Sequence, residues 1–155
     1  MNTTLKAVQQ DYQRLNDEVQ ILNSTRQKVA FHAMHLESTR ISALKPFIFD
    51  QVALNEGSGY RSSTGHFIVP KSGLYAFYAS AGNEEIPGGG YFAIYMDNVQ
   101  VSAYVSVYSN STQVSVSVQA VVHAQAGQSV WVRSLFYHNF HSNYCSFSGI
   151  LLSAD

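Results

Sequence analysis

Charge is scarce in this chain: nine Lys and Arg stand against ten Asp and Glu, 12% of 155 residues, for a net charge of -1. No basic stripe exists that would offset a phosphate backbone, which argues against nucleic acid as a partner. Cysteine occurs once, at Cys145, so an internal disulfide framework is excluded and the lone thiol beside a strand reads as buried packing. No apolar run approaches the roughly 20 residues that span a bilayer, so membrane insertion is not expected. The opening MNTTLKAVQQ lacks the basic, apolar, small-residue order of a signal peptide. Also missing are Gly-x-Ser-x-Gly, a phosphate-cradling glycine loop and a metal-protease helix motif. Asp50, Glu56 and Asp97 are isolated acids that nominate no acid–base pair. A binding protein is expected rather than an enzyme.

What is plentiful points to sheet. Hydrophobic residues make up 46%, with ten Tyr and nine Phe, a balance that favours strands buried on several sides. The first 25 residues differ. Leu5, Val8, Tyr12, Leu15, Val19 and Leu22 step by three and four, the a/d pattern of a left-handed coiled coil. Residues 1–27 read as a coiled-coil oligomerisation stalk meeting a globular domain, 28–155, near Arg26 to Lys28. An amphipathic helix packed on its own domain is the alternative. The seam alone does not decide between two strands and three.

After the stalk, period-two alternation sets in. The clearest strands are 74–80, 91–96, 99–107, 114–122, 130–136 and 147–152. Val114, Val116, Val118, Ala120 and Val122 share one face, while Ser115, Ser117, Gln119 and His123 lie mainly on the other, as in a half-buried antiparallel strand. Asp97-Asn98 reads as a tight hairpin turn. Many short strands without a helical period imply a sandwich or jelly roll.

Phe49, Asn55, Tyr60, Phe67, Gly73, Tyr75 and Phe77 follow the spacing F-x5-N-x4-Y-x6-F-x5-G-x-Y-x-F. From Val29 onward the chain thereby resembles the globular head of the C1q family, which is similar in fold to tumour necrosis factor. Supporting stretches are Val29 to Ala33, Ala126 to Val132 and Ser146 to Leu152. The family pattern calls for an aromatic residue where Ala79 stands, a variation in packing. The resemblance implies an all-β jelly roll of about ten antiparallel strands, a homotrimer, and a three-stranded stalk. No Gly-X-Y repeat is present, so a collagen-dependent role is not implied. The implied function is a secreted, lectin-like recognition molecule of innate immunity that binds microbial or cell-surface glycans. The alternative is an extracellular cytokine-like or adhesion ligand for a protein receptor.

Two loops are candidates for the site. The stretch 136–144 carries four aromatics with Tyr137, His138, Asn139, His141 and Asn143, a mixture suited to sugar rings that stack and hydroxyls that need partners. Tyr137 is expected to stack and the two histidines to hydrogen-bond; in the bland reading Phe140 and Tyr144 fold back onto the sandwich. The stretch 83–90 offers Glu84 and Glu85 ahead of three glycines. That stretch could hold Ca²⁺ with backbone carbonyls, a solvated loop being the alternative. Tyr108 to Thr112, which the resemblance makes comparable to a calcium-binding acidic loop, has no carboxylate, and His138 and His141 lack companions for zinc, so no cofactor is expected.

Overall fold

A computed structural model describes residues 2–25 and 28–155; the expected junction falls at Arg26 and Gln27, outside the described residues. One helix, α1 (Thr3–Thr25), precedes the strands. Its start is capped by Asn2, whose Oδ1 accepts from the Thr4 amide at 3.0 Å. Neither Gly nor Pro interrupts it, and Gln13 donates one turn on to Asp17 at 3.1 Å. Leu5, Val8, Tyr12, Leu15 and Val19 all stand exposed along it.

Thirteen antiparallel strands follow among the described residues, against the ten or so expected, because several last only two residues. One sheet runs β10 (Ser115–Ala124), β6 (Gly73–Gly82), β13 (Ser146–Ala154), β1 (Ala30–Leu36), β3 (Phe49–Glu56). The second runs β4 (Tyr60–Arg61), β5 (His66–Ile68), β11 (Ser129–Arg133), β7 (Gly88–Met96), β8 (Val99–Gln100), with β9 (Val105–Ser109) also on β7. A small pair, β2 (Arg40–Ile41) and β12 (His138–Asn139), stands apart from both. The expected hairpin at Asp97-Asn98 is present, with Met96 opposite Val99 and Asp97 at φ 52°. The expected single strand from Val99 to Val107 divides into β8 and β9. Both pair with β7, Tyr95 opposite Gln100 and Phe92 opposite Val105, and the ladder breaks between them where the Ser102 hydroxyl, in place of a backbone carbonyl, accepts the Ile94 amide at 2.9 Å.

Between the sheets lies an aromatic core. Phe31 stacks on Phe67 at 4.5 Å and meets Phe147 edge-on at 4.8 Å, and Tyr75 stacks on Phe77 at 5.7 Å. Each such ring, fully buried, contributes about 1.5–3 kcal/mol. Gly149 leaves room for these rings: a Cβ there would lie 2.6 Å from both Phe31 and Phe77. The family signature is a clamp as well as a core. Asn55 holds both backbone polar groups of Tyr60, at 2.9 and 3.1 Å, while the Tyr60 hydroxyl bonds the amide and carbonyl of Phe49. Burial pushes that phenol up to about 12. The Ala79 variation is accommodated by Phe147 directly across the sheet.

Candidate ligand-binding site

Eight of the nine phenylalanines are at most 1% exposed; the ninth, Phe136, is 58% exposed. It opens the 136–144 loop, just past the end of β11, where the Ser134 carbonyl accepts the Leu44 amide at 2.9 Å. Tyr137 beside it is also exposed, whereas Phe140 folds completely into the core against Phe47 at 4.9 Å. The loop therefore divides, with Phe136, Tyr137 and Tyr144 outward and Phe140 alone inward.

The structure brings the two candidate loops together. Asn83 and Phe140 form a bridge, the Glu84 amide donates to the Asn139 carbonyl at 3.4 Å and the His141 amide to the Gly82 carbonyl at 2.9 Å. Buried Asn83 is the strut: its side chain donates to the Glu85 carbonyl at 2.9 Å and accepts the Val114 amide at 2.7 Å. Side chains then meet across the seam. Asn139 donates to the Glu85 carboxylate at 2.7 Å, and the Tyr137 hydroxyl donates to Asn139 Oδ1 at 3.4 Å. The resulting open cavity of ≈ 220 Å³ is lined by Glu85, Gly88, Gly89, Tyr137, His138 and Asn139.

The three glycines permit this approach. A side chain at Gly89 would strike the Val107 carbonyl, and one at Gly90 would lie 2.6 Å from Phe140 and 2.8 Å from His138. With Gly90 beneath it, the His138 ring fits among Tyr91, Phe136 and Phe140, with centroids 6.1–6.3 Å away. Its Nε2 is enclosed without a partner, and burial holds its pKa below 6.5, with a Gly89 backbone contact acting the other way.

The remaining expected site residues lie outside the cavity lining. Among the described residues, exposed Glu84 has no side-chain hydrogen-bond partner. His141 stacks on Tyr144 at 4.2 Å and accepts the Asn143 amide at 3.3 Å, capping a short 3₁₀ turn, Ser142–Tyr144. Cys145, buried beneath, donates to the His141 carbonyl at 3.2 Å, and burial pushes the thiol up to about 12. Among the described residues no three His, Cys, Asp or Glu side chains gather as metal ligands do. No described helix is long and apolar enough to cross a membrane. The sequence shows Asn83 and the three glycines as members of the 83–90 stretch, but not Asn83 as a brace between the loops or Gly89 as a point of close backbone approach.

Sequence and structure comparisons agree with this architecture. The C1q domain model matches residues 30–152. The globular domain of zebrafish complement 1qA protein is similar at TM-score 0.66 and 22% identity, over 83% of this chain and all (100%) of that one. Eiger TNF from S. frugiperda follows at 0.63 and 16%, covering 84% and 96%. Murine APRIL, solved at pH 5.0, reaches 0.62 and 13%, covering 81% and 99%. At these identities the likeness to solved structures is one of fold. No curated protein sequence matches the chain. The match across 123 residues (30–152) spans the Asn55–Tyr60–Phe49 clamp, both sheets and the two joined loops, and on that ground the chain belongs to the C1q domain family.

Proposed function

We propose that this protein is a non-catalytic, extracellular homotrimer that recognises glycans through the cavity between the 83–90 and 136–144 loops. The observation that carries the reading is the 2.7 Å bond between Asn139 and Glu85 beside two outward aromatics. Tyr137 and Phe136 supply flat apolar faces for C–H surfaces. Glu85 and Asn139, already oriented by each other, supply acceptor and donor for hydroxyls. His138 serves as packing beneath the site, since its Nε2 is enclosed.

Two surfaces support the trimer. Outward on the five-stranded sheet, Val121, Ala76, Ile150 and Ala30 form one row, and Gln119, Tyr78, Ser148, His32 and Leu54 the next. Large apolar side chains there alternate with small ones, a flat surface suited to another copy. Residues 1–27 form the stalk in this reading, and the exposed Leu5, Val8, Tyr12, Leu15 and Val19 are its seam, continued by Leu22. Three heads on one stalk would convert weak single sites into useful avidity.

The test is a glycan array followed by calorimetry on the best neutral oligosaccharide. Glu85→Gln with Tyr137→Ala should lower affinity at least about tenfold, as loss of a charge-assisted hydrogen bond and a stacking face requires, with the melting temperature nearly unchanged. Undiminished binding would reject this site. A protein receptor is the second reading, favoured by the exposed Ile86, Tyr91, Tyr108, Phe136 and Tyr137; an empty array with saturable binding to cells treated with glycosidases would select it.

A further inference from the structure

The outer face of β7 continues away from the cavity. Tyr91, Ala93 and Tyr95 alternate onto it, opposite the fully buried Phe92 and Ile94. Across on β11, Trp131 stands opposite Tyr95 and Arg133 opposite Ala93. Tyr95 and Trp131 are nearly buried, forming with Ala93 and Tyr104 a small cluster separate from the main core. Tyr91 is half exposed and touches His138 of the loop site.

Arg133 is the unexplained member of this surface. Its guanidinium carbon lies 3.7 Å over the Tyr95 ring, a cation–π contact that fixes the plane of the group. Its Nε is buried without a hydrogen-bond partner. No carboxylate pairs with it among the described residues, although every arginine fork carries five donors to satisfy. A cation held rigid on a ring, only partly buried and left without an anion, is arranged for an anion from outside.

Register supplies the link to the loop site. Tyr91 and Ala93 are successive outward positions on β7, about 6.6–6.8 Å apart, a spacing comparable to one sugar residue. From Gly89 at the cavity, Ala93 beside Arg133 is four positions along β7, about 13 Å, so a chain seated with one unit at Glu85 and Asn139 would pass over Tyr91 and bring a unit two or three residues further on to Arg133. Like-charge repulsion from Glu85 disfavours an acidic unit in the cavity, whereas Arg133 favours one beyond it. We infer that the outer face of β7 is a second subsite, in which Arg133 binds the carboxylate or sulfate of an acidic sugar that alternates with a neutral one. This inference rests on the glycan reading and adds the class of glycan.

The test uses the full chain, a hyaluronan hexasaccharide (alternating uronic acid and neutral amino sugar), its carboxyl-reduced neutral counterpart, and a chondroitin sulfate hexasaccharide of similar repeat. Wild type should bind an acidic hexasaccharide at least about tenfold more tightly than the neutral one, with the preference shrinking as salt rises. Comparing the unsulfated and sulfated forms tells carboxylate from sulfate. Arg133→Gln should reduce the preference to near unity, and Arg133→Lys should keep part of it, since Lys retains charge without the planar fork. Should Arg133→Gln misfold, the ¹⁵N–¹H resonance of Arg133 Nε in wild type reports the same contact and should shift with acidic oligosaccharide only. Equal wild-type binding of acidic and neutral forms, or a preference that survives Arg133→Gln, overturns the subsite while leaving the loop reading intact. Failure of all three hexasaccharides together with an unmoved Nε resonance overturns this subsite, and a blank neutral array would then remove the loop reading too.

Discussion

The two sheets turn unlike faces outward. On the five-stranded sheet, Leu54, Leu74, Tyr78, Val121 and Ile150 stand exposed among Ala and Ser, with none of the described residues folded over them. On the six-stranded sheet, Tyr104 and the Arg133 guanidinium cover Tyr95, and the His66 ring lies edge-on to Trp131 at 4.6 Å. In the proposed trimer the first face is finished by another copy, while the second is nearly finished by its own chain and holds back a charge. Alternation is equally regular in both. What differs is whether a neighbouring segment returns across the face, and that decides whether an outward aromatic is interface or scaffold.

The widest separation between the faces should appear in assembly. Ile150→Glu, which places charge in the middle of the five-stranded face, should reduce the mass measured by light scattering from about three times 17.1 kDa to 17.1 kDa. Val99→Glu, on the exposed edge of the six-stranded sheet, should leave the mass unchanged. If both variants remain trimeric, the five-stranded face is not the contact surface.

Adjacent residues on β6 sharpen the contrast within one strand. Phe77→Ala should cost about 3–5 kcal/mol in denaturant unfolding, as for other buried aromatics. Tyr78→Ala, measured in the Ile150→Glu background so that assembly does not contribute, should stay within about 0.5 kcal/mol. A large cost at Tyr78 in the monomer would mean that the outward face packs within its own chain.

Removing residues 1–25 should weaken trimer association on dilution while the head keeps its far-ultraviolet signature, because a stalk of about three heptads is marginal without the heads. An unfolded head would assign the helix to the core and reject the stalk.

The smallest effect is titration, and it belongs to the six-stranded side. Burial holds the imidazoles of His66, beside Trp131, and His138, beside Tyr91, below 6.5. Each therefore binds its proton less readily folded than unfolded. The stability they contribute is fully present above pH 6.5 and is lost as pH falls through their depressed folded values. Melting temperature should fall on that acid side, and replacing both histidines with Gln should flatten the slope. An unchanged slope would place the acid sensitivity elsewhere.

Periodicity and local chemistry carried much of this protein in the sequence alone: Tyr75 and Phe77 as core, Gly149 as space for rings, Asp97-Asn98 as a hairpin, buried Cys145, and the spaced signature whose clamp closes within 12 residues, from Phe49 to Tyr60. Such features depend on neighbours a few positions away or on one face of one strand, so residue order is enough to reveal them. The site was legible only as two separate loops. Asn139 and Glu85 are 54 positions apart, and their meeting depends on where β12 crosses β7, on Asn83 bracing both, and on glycines that let backbones close together. Arg133 was silent for the same reason, since nothing in Val132-Arg133-Ser134 tells that its guanidinium lies on Tyr95 with no acid paired to it among the described residues. Contacts between segments distant in sequence are chosen by the packing of the whole sandwich, and only the folded chain holds that information.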